Sequence, residues 1–331
     1  MKVLFVGGTG TISTACSALA AQRGIELTLL NRGQRQVAVP AGVEVVTGDI
    51  NQDPAGVKAL LAERHFDVVV NWIVFTADQI ERDIEIFAGK TDQYVFISSA
   101  SAYQKPILHH HITEATPLAN PFWAYSRHKI ACEERLMHEY REHGFPMTVV
   151  RPSHTYGPAS LPTAVGGGAT VVARIRQGKK VIVHGDGESL WVMTHNTDFA
   201  HAFVGLLGHP KGIGHAFQIT SDEVLTWNQI YASIGRACGA DAQMVHIPSD
   251  FINHHDPVTG AGLLGDKACS VVFDNSKVRE LVPDYVATVP FARGVEECIA
   301  WLDAEPGRGD VDTEKDAMMD KIITAYERAW V

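Results

Sequence analysis

The stretch from Lys2 to Arg23 constrains the fold more than any other part of the chain. Lys2 to Val6 read as a buried apolar strand that runs directly into Gly7, Gly8, Thr9, Gly10, Thr11, Ile12 and Ser13, and helical residues follow from Thr14 to Arg23. A strand that breaks at glycines and restarts as a helix brings free backbone N–H groups and the positive end of a helix dipole to one point. That arrangement suits a pyrophosphate. Ser13 stands where a third glycine normally permits close packing of helix on strand, and its small side chain leaves the phosphate contact available. The next apolar run, Glu26 to Leu30, ends at Asn31, Arg32 and Gly33, where the ribose of a bound adenosine is expected.

Apolar strands and helical patterns then alternate, with strands near Val43–Thr47, Val68–Trp72, Tyr94–Ser98 and Met147–Val150. This order predicts an α/β fold, a doubly wound parallel Rossmann-type sheet. A long helix from Tyr125 towards His143 should stop at Gly144. Shorter elements with glycine- and proline-rich loops follow from Tyr156 and predict a smaller, discontinuous C-terminal substrate lobe. The expected division is a dinucleotide-binding domain over 1–155 with a returning segment at about 195–230, a lobe from 156–194 and 231–312, and a C-terminal helix over 313–331. Asp303 to Asp312 form the polar linker before that helix, whose spacing runs from Glu314 to Trp330.

The string Tyr125-Ser126-Arg127-His128-Lys129 carries the candidate chemistry, together with Ser99 upstream. Residues four apart share a helix face, so the Lys129 ammonium can lie beside the Tyr125 phenol. A free tyrosine titrates near pH ~10, and a useful phenolate at neutral pH needs about 4 kcal/mol of help. One cation at ~4 Å and an effective dielectric of ~20 supplies about that much.

The remaining composition excludes several classes of function. A formal net charge of −10 without clustered Lys and Arg argues against a nucleic-acid surface. Cys16, Cys132, Cys238, Cys269 and Cys298 form no CxxC pair, so neither a disulfide framework nor a zinc site is expected. His109, His110 and His111 are adjacent, a poor geometry for one ion, and no metal is expected there. The absence of a signal pattern or a long apolar run leads to the expectation of a cytoplasmic protein.

Taken together, these segments resemble the extended short-chain dehydrogenase/reductase family, which holds nucleotide-sugar epimerases and dehydratases. The resemblance implies that Gly7, Thr9, Gly10, Thr11 and Ile12 surround the pyrophosphate, that Asp49 and Ile50 of the string TGDI meet adenine, and that Trp72, Lys129 and Pro152 line the nicotinamide half. Asn31 and Arg32 favour NADP, with NAD as the other candidate, because Arg32 can bind the ribose phosphate whereas an acidic residue would repel it. Ser99, Tyr125 and Lys129 become the catalytic residues of hydride transfer at a sugar hydroxyl or ketone. Family dehydratases carry an Asp-Glu pair after the catalytic Thr; here Ala100 and Ser101 stand there, which leaves epimerisation or simple oxidoreduction. The further segments RPSHTYGP, VIVHGDGE and FDNSKVREL match the family's substrate lobe. Trp191 occupies the place of an Arg that grips a nucleotide diphosphate, and His154 stands where relatives carry Asn. Ser101, Trp123, His154 and Trp191 are therefore the candidates for contact with a sugar-type substrate, nucleotide-linked or free, with His195 as a possible neighbour. A homodimer is the oligomer that the resemblance implies. An RNA-binding or NADP-sensing relative of the same fold is the more distant alternative.

Overall fold

The computed structural model describes residues 1–34 and 38–328; the end of the expected C-terminal helix, including Trp330, lies outside the described residues. The first half of the chain runs β1 (Lys2–Val6), α1 (Thr11–Gln22), β2 (Glu26–Asn31), β3 (Glu44–Thr47), α2 (Pro54–Leu60), β4 (Phe66–Asn71), α3 (Ala77–Phe87), β5 (Thr91–Ile97), β6 (His111–Ile112), α4 (Ala124–His143) and β7 (Met147–Pro152). The second half runs β8 (His154–Tyr156), α5 (Gly168–Arg176), β9 (Lys180–His184), β10 (Leu190–His195), α6 (Asn196–Leu206), β11 (Ala216–Ile219), β12 (Val224–Thr226), α7 (Trp227–Cys238), β13 (Gln243–Ile247), α8 (Ser249–His255), α9 (Pro257–Gly262), β14 (Val272–Phe273), α10 (Ser276–Leu281), α11 (Phe291–Ala304) and α12 (Thr313–Arg328).

Seven parallel strands in the order β11-β7-β5-β4-β1-β2-β3 form the main sheet. The central strands are apolar on both faces because helices cover both. Phe5, Leu29 and Val70 pack with Phe199 and Phe203 of α6 on one side, while Leu4, Val69 and Phe96 pack with Ile84 of α3 and Leu136 of α4 on the other. The strand order reverses between β1 and β4, and in such sheets the crevice at the carboxyl ends beside that switch is the binding place.

Helix α1 begins at Thr11, earlier than the pattern from Thr14 suggests, with Ser13 Oγ accepting a hydrogen bond from the Gly10 N–H at 2.8 Å in its first turn. Helix α4 stops at Gly144 in the left-handed region, as its sequence leads one to expect. Helix α6 and strand β11 return to the main sheet, where Phe217 aligns with Val150. Residues 224–230 do not return with them: β12 pairs antiparallel with β10, and Trp227 and Ile230 pack in the second core. The lobe also starts earlier than residue 156, since His154 pairs with Met193. It further takes in Tyr103 and Ile112 from a segment assigned by sequence to the first domain.

One buried ion pair ties the carboxyl edge of the sheet to α4. Glu133 receives two hydrogen bonds from Arg151 Nε, at 3.0 and 3.2 Å, and one from Nη2 at 2.5 Å, and it accepts the Ser98 hydroxyl at 2.5 Å. Both charged side chains are less than a tenth exposed. Glu133→Ala would strand the Arg151 guanidinium in the core, and the expected cost is about 3–5 kcal/mol in a urea denaturation series; a loss under ~1 kcal/mol would mean that water solvates this pair.

Candidate active site

The carboxyl ends of β1, β2, β4, β5 and β7 surround a cleft of about 670 Å³. Its floor is the glycine turn. Gly7 and Gly8 have φ values of +95° and +111°, and a Cβ on Gly8 would come within 2.8 Å of Leu29 Cδ2. Only glycine fits there. Gly7, Thr9, Gly10, Thr11 and Ile12 all line the cleft at the N-terminus of α1, as do Asn31, Arg32, Ile50, Trp72, Lys129 and Pro152. A cradle shaped by backbone and closed to a Cβ fits a pyrophosphate, and the cleft continues from it to Tyr125.

Asp49 stands beside the cleft wall and also shapes the backbone there. Its Oδ1 accepts the N–H groups of Asn51 and Gln52 at 3.0 and 3.2 Å and shapes the turn, while its neighbours Gly48, Ile50 and Asn51 line the cleft. An Asp followed two residues later by a free N–H commonly closes such a turn. The Asn31 amide nitrogen reaches the Gly7 carbonyl at 2.8 Å and so fastens β2 to the glycine turn, with the side chain of Arg32 exposed at that corner. Ile73, Phe75, Ile97 and Ser98 also line the cleft. Sequence reasoning passed over Phe75, Ile97 and Ser98, although each lies just beyond or at the carboxyl end of a strand that borders the crevice.

Helix α4 presents Tyr125, Lys129 and Glu133 at successive four-residue steps, one stripe aimed at the sheet edge. Ser99 extends from the end of β5 and hydrogen-bonds the Tyr125 phenol. Burial raises the phenol's pKa above its ordinary value, the Ser99 bond opposes that rise, and the carboxylate of Asp266 adds to it. The protein alone therefore holds Tyr125 protonated at neutral pH. The Lys129 ammonium donates to the Val74 and Ile97 carbonyls at 2.5 and 2.8 Å and stands 5.8 Å from the Tyr125 ring centre. Burial pushes its pKa down to about 8. The expected depression of the tyrosine by this lysine is not seen in the protein without its ligands.

The four candidates for substrate contact divide. Ser101 is buried and its hydroxyl is engaged with those of Ser99 at 2.9 Å and Ser126 at 2.8 Å, so it orients Ser99 from behind. Trp123 is half-buried with its ring 4.8 Å from that of Tyr125, a place where substrate can touch it. Trp191 is 1% exposed and packs on Trp227, with its indole N–H donated to His154 Nδ1 at 3.2 Å; it is core of the lobe and cannot reach a ligand. His154 is held neutral, its pKa lowered to about 3 by burial, and spends Nδ1 on Trp191. His195 packs edge-on against Tyr156 behind the cleft. Among the described residues no group of three or more His, Cys, Asp or Glu is placed to hold a metal ion, and no helix is long and apolar enough to cross a membrane.

The depressed Lys129 has a measurable consequence. Below pH 8 both folded and unfolded chains carry the ammonium, and folding bears its desolvation cost. Between pH 8 and the ordinary value of 10.5 the unfolded chain binds a proton that the folded protein does not, so stability rises with pH. Relative to Lys129→Met, the wild type should gain about 3 kcal/mol across that window in denaturant titrations. A stability difference that stays flat with pH would show that the ammonium is hydrated.

Comparison with known proteins agrees with this geometry. The sequence model of the NAD dependent epimerase/dehydratase family matches residues 3–220. The chain is 26% identical over 269 residues to the chloroplast stem-loop binding protein of 41 kDa b of Arabidopsis thaliana, covering 76% of this chain and 67% of that protein. It is 24% identical over 181 residues to a UDP-N-acetyl-alpha-D-glucosaminuronate decarboxylase of Bacillus cytotoxicus, covering 54% of this chain and 53% of the relative. The crystal structure of UDP-glucuronic acid 4-epimerase from Bacillus cereus, in complex with UDP-glucuronic acid and NAD, superposes with a TM-score of 0.73 at 19% identity, over 92% of this chain and 99% of that one. With the family match spanning most of the chain and the glycine turn, cleft and parallel sheet in place, the protein belongs to the NAD dependent epimerase/dehydratase family.

Proposed function

We propose that this protein is an NAD(P)-dependent enzyme that transfers a hydride at a hydroxyl or ketone carbon of a sugar-type substrate, as an epimerase or an oxidoreductase. The observation that carries this reading is the convergence of Ser99, Tyr125 and Lys129 at one end of the glycine-floored cleft. When bound, the dinucleotide supplies the hydride acceptor and donor. Tyr125, held protonated, gives its phenolic proton to a substrate oxygen in the reducing direction and takes one back in the oxidising direction, while Ser99 hydrogen-bonds the same oxygen. Ser101 and Ser126 fix the Ser99 rotamer from behind. Lys129, its ammonium 5.8 Å from the Tyr125 ring centre, would hold the dinucleotide ribose and lend its charge to Tyr125. Epimerisation and simple oxidation share this half-reaction and differ in whether the hydride returns to the other face of the carbon.

A free sugar or polyol suits the lobe better than a nucleotide-linked one. Trp191 fills the position from which an Arg would grip a diphosphate, and it is sealed between Trp227 and His154. Arg32 favours NADP, since it is an exposed cation at the ribose corner and no carboxylate stands beside it in the sequence. The same reading takes the outer face of α4 as the contact of a homodimer. One curated relative is named for stem-loop binding, but the net charge of −10 gives an RNA backbone little to hold.

Tyr125→Phe should lower turnover by about 10²–10⁴-fold while leaving dinucleotide affinity within roughly twofold. Turnover that survives the change would remove Tyr125 from the mechanism. Arg32→Glu should weaken NADP by at least about tenfold relative to NAD in calorimetric titrations; an unchanged ratio would mean that Arg32 does not select the cofactor. A gel-shift titration with a stem-loop RNA should give no complex at physiological salt.

A further inference from the structure

The wall of the cleft that follows β3 is held from behind by the first turns of α3. Asp83 on that helix is fully buried, and its Oδ2 accepts the Asn71 amide and the Tyr94 hydroxyl, each at 2.5 Å. Its Oδ1 receives Arg82 Nε at 2.9 Å and Nη2 at 2.6 Å. A guanidinium is planar, so two nitrogens fixed on a buried carboxylate also fix the direction of the third. That third nitrogen, Nη1, meets the Ile50 carbonyl at 3.3 Å and Asn51 Oδ1 at 2.5 Å.

Gln79, one turn earlier on α3, makes a second contact with the same atom. Its Oε1 accepts the N–H groups of Phe75 and Thr76 at 2.6 and 3.3 Å, which orients the amide, and its Nε2 donates to Asn51 Oδ1 at 3.1 Å. Two donors on one atom identify it as the amide oxygen and use both of its lone pairs. The other end of the amide is a donor only, and Nδ2 of Asn51 makes no hydrogen bond among the described residues. Asn51 lines the cleft together with Val39, Val45 and Ile50, at the end where Asn31 and Arg32 stand. Val45 leaves about half of its surface exposed there. This end of the cleft therefore joins apolar side chains, which suit the faces of a flat ring, to one amide donor of fixed orientation.

We propose that Asn51 is a base-recognition residue whose Nδ2 donates to a ring nitrogen of the adenine of a bound dinucleotide, with Arg82 and Gln79 holding the amide in the orientation that presents the donor. This rests on the reading of the cleft as a dinucleotide site. Adenine carries ring nitrogens whose lone pairs lie in the plane of the base, so a donor at its edge and apolar groups on its faces recognise it together. Arg82 and Gln79 act through Asn51 and need not touch the ligand.

The test is calorimetric titration of wild type, Asn51→Asp and Asn51→Ala with NADP and NAD, at about 0.5 M salt, where a Debye length of about 4 Å screens an added charge. Asn51→Asp keeps an oxygen for Arg82 and Gln79 and removes only the donor, whereas Asn51→Ala removes both. Each variant should bind the preferred dinucleotide about fivefold or more weakly than the wild type, the size expected of one hydrogen bond, and Asn51→Asp should melt as the wild type does. Wild-type affinity in both variants would overturn the assignment. So would a loss confined to Asn51→Ala, which would make Asn51 only an acceptor for α3, or a loss confined to Asn51→Asp, which would be an effect of the added charge. Failure of the broader reading looks different: the wild type itself would bind neither dinucleotide, and the assignment would fall with it.

Discussion

The buried pair of Glu133 and Arg151 is the joint on which the catalytic edge of the sheet is assembled. Arg151 belongs to β7, Glu133 to α4, and Ser98, bonded to the same carboxylate, to the end of β5. Three separate elements therefore share one charged centre at the carboxyl ends of the strands. Two charges removed from water hold one another only at good geometry, which makes such a pair a weak source of stability and a strong source of register. The consequence falls on the neighbours: Ser99 follows Ser98, and Lys129 and Tyr125 lie one and two turns before Glu133 on the same helix face. Displacing the pair would move all three reactive side chains at once.

Electrostatics in this cleft run against the simplest idea of a lysine that ionises a tyrosine. Burial raises the phenol and lowers the ammonium, and each group is thereby pushed toward its neutral form. The Lys129 proton is kept near neutral pH by two backbone carbonyls and the faces of Phe75 and Phe96, at 4.7 and 4.9 Å. The cleft thus places a protonated phenol beside an ammonium held by backbone carbonyls and aromatic faces.

Much of this was legible in the chain itself, and the failures have local causes. Strand ends fell within a few residues of the sheet because central parallel strands are apolar on both faces, a pattern that survives without tertiary knowledge. The glycine turn and the four-residue spacing of Tyr125 and Lys129 were equally plain, since both are read from contiguous residues. Trp191 and Ser101 misled because position in a motif says nothing about burial: one is walled in by Trp227 and His154, the other locked between two serines. The division at residues 224–230 failed because β12 folds back on β10 directly after the chain leaves the main sheet. Asp266 and Lys267 carried no local signal at all, being far from Tyr125 in sequence and brought near it only by the lobe.

The two halves of the molecule consequently make different demands on the sequence. The sheet edge needs fixed residue types at fixed spacings, because backbone amides and a four-residue helical step do the positioning. The lobe positions its contribution through packing: the Trp191–Trp227 pair with His154 and His184 forms an aromatic wall, and the carbonyl of Lys267 is pinned to that wall by His184 and Trp227. A wall of this kind excludes water and supplies no charge of its own, since burial holds both histidines neutral. Charge on this side stands on the turn fixed against the wall, Leu263–Lys267, where the Asp266 carboxylate faces the ammonium groups of Lys105 and Lys267. The sheet edge is positioned by backbone and helical spacing, and the lobe side by packing.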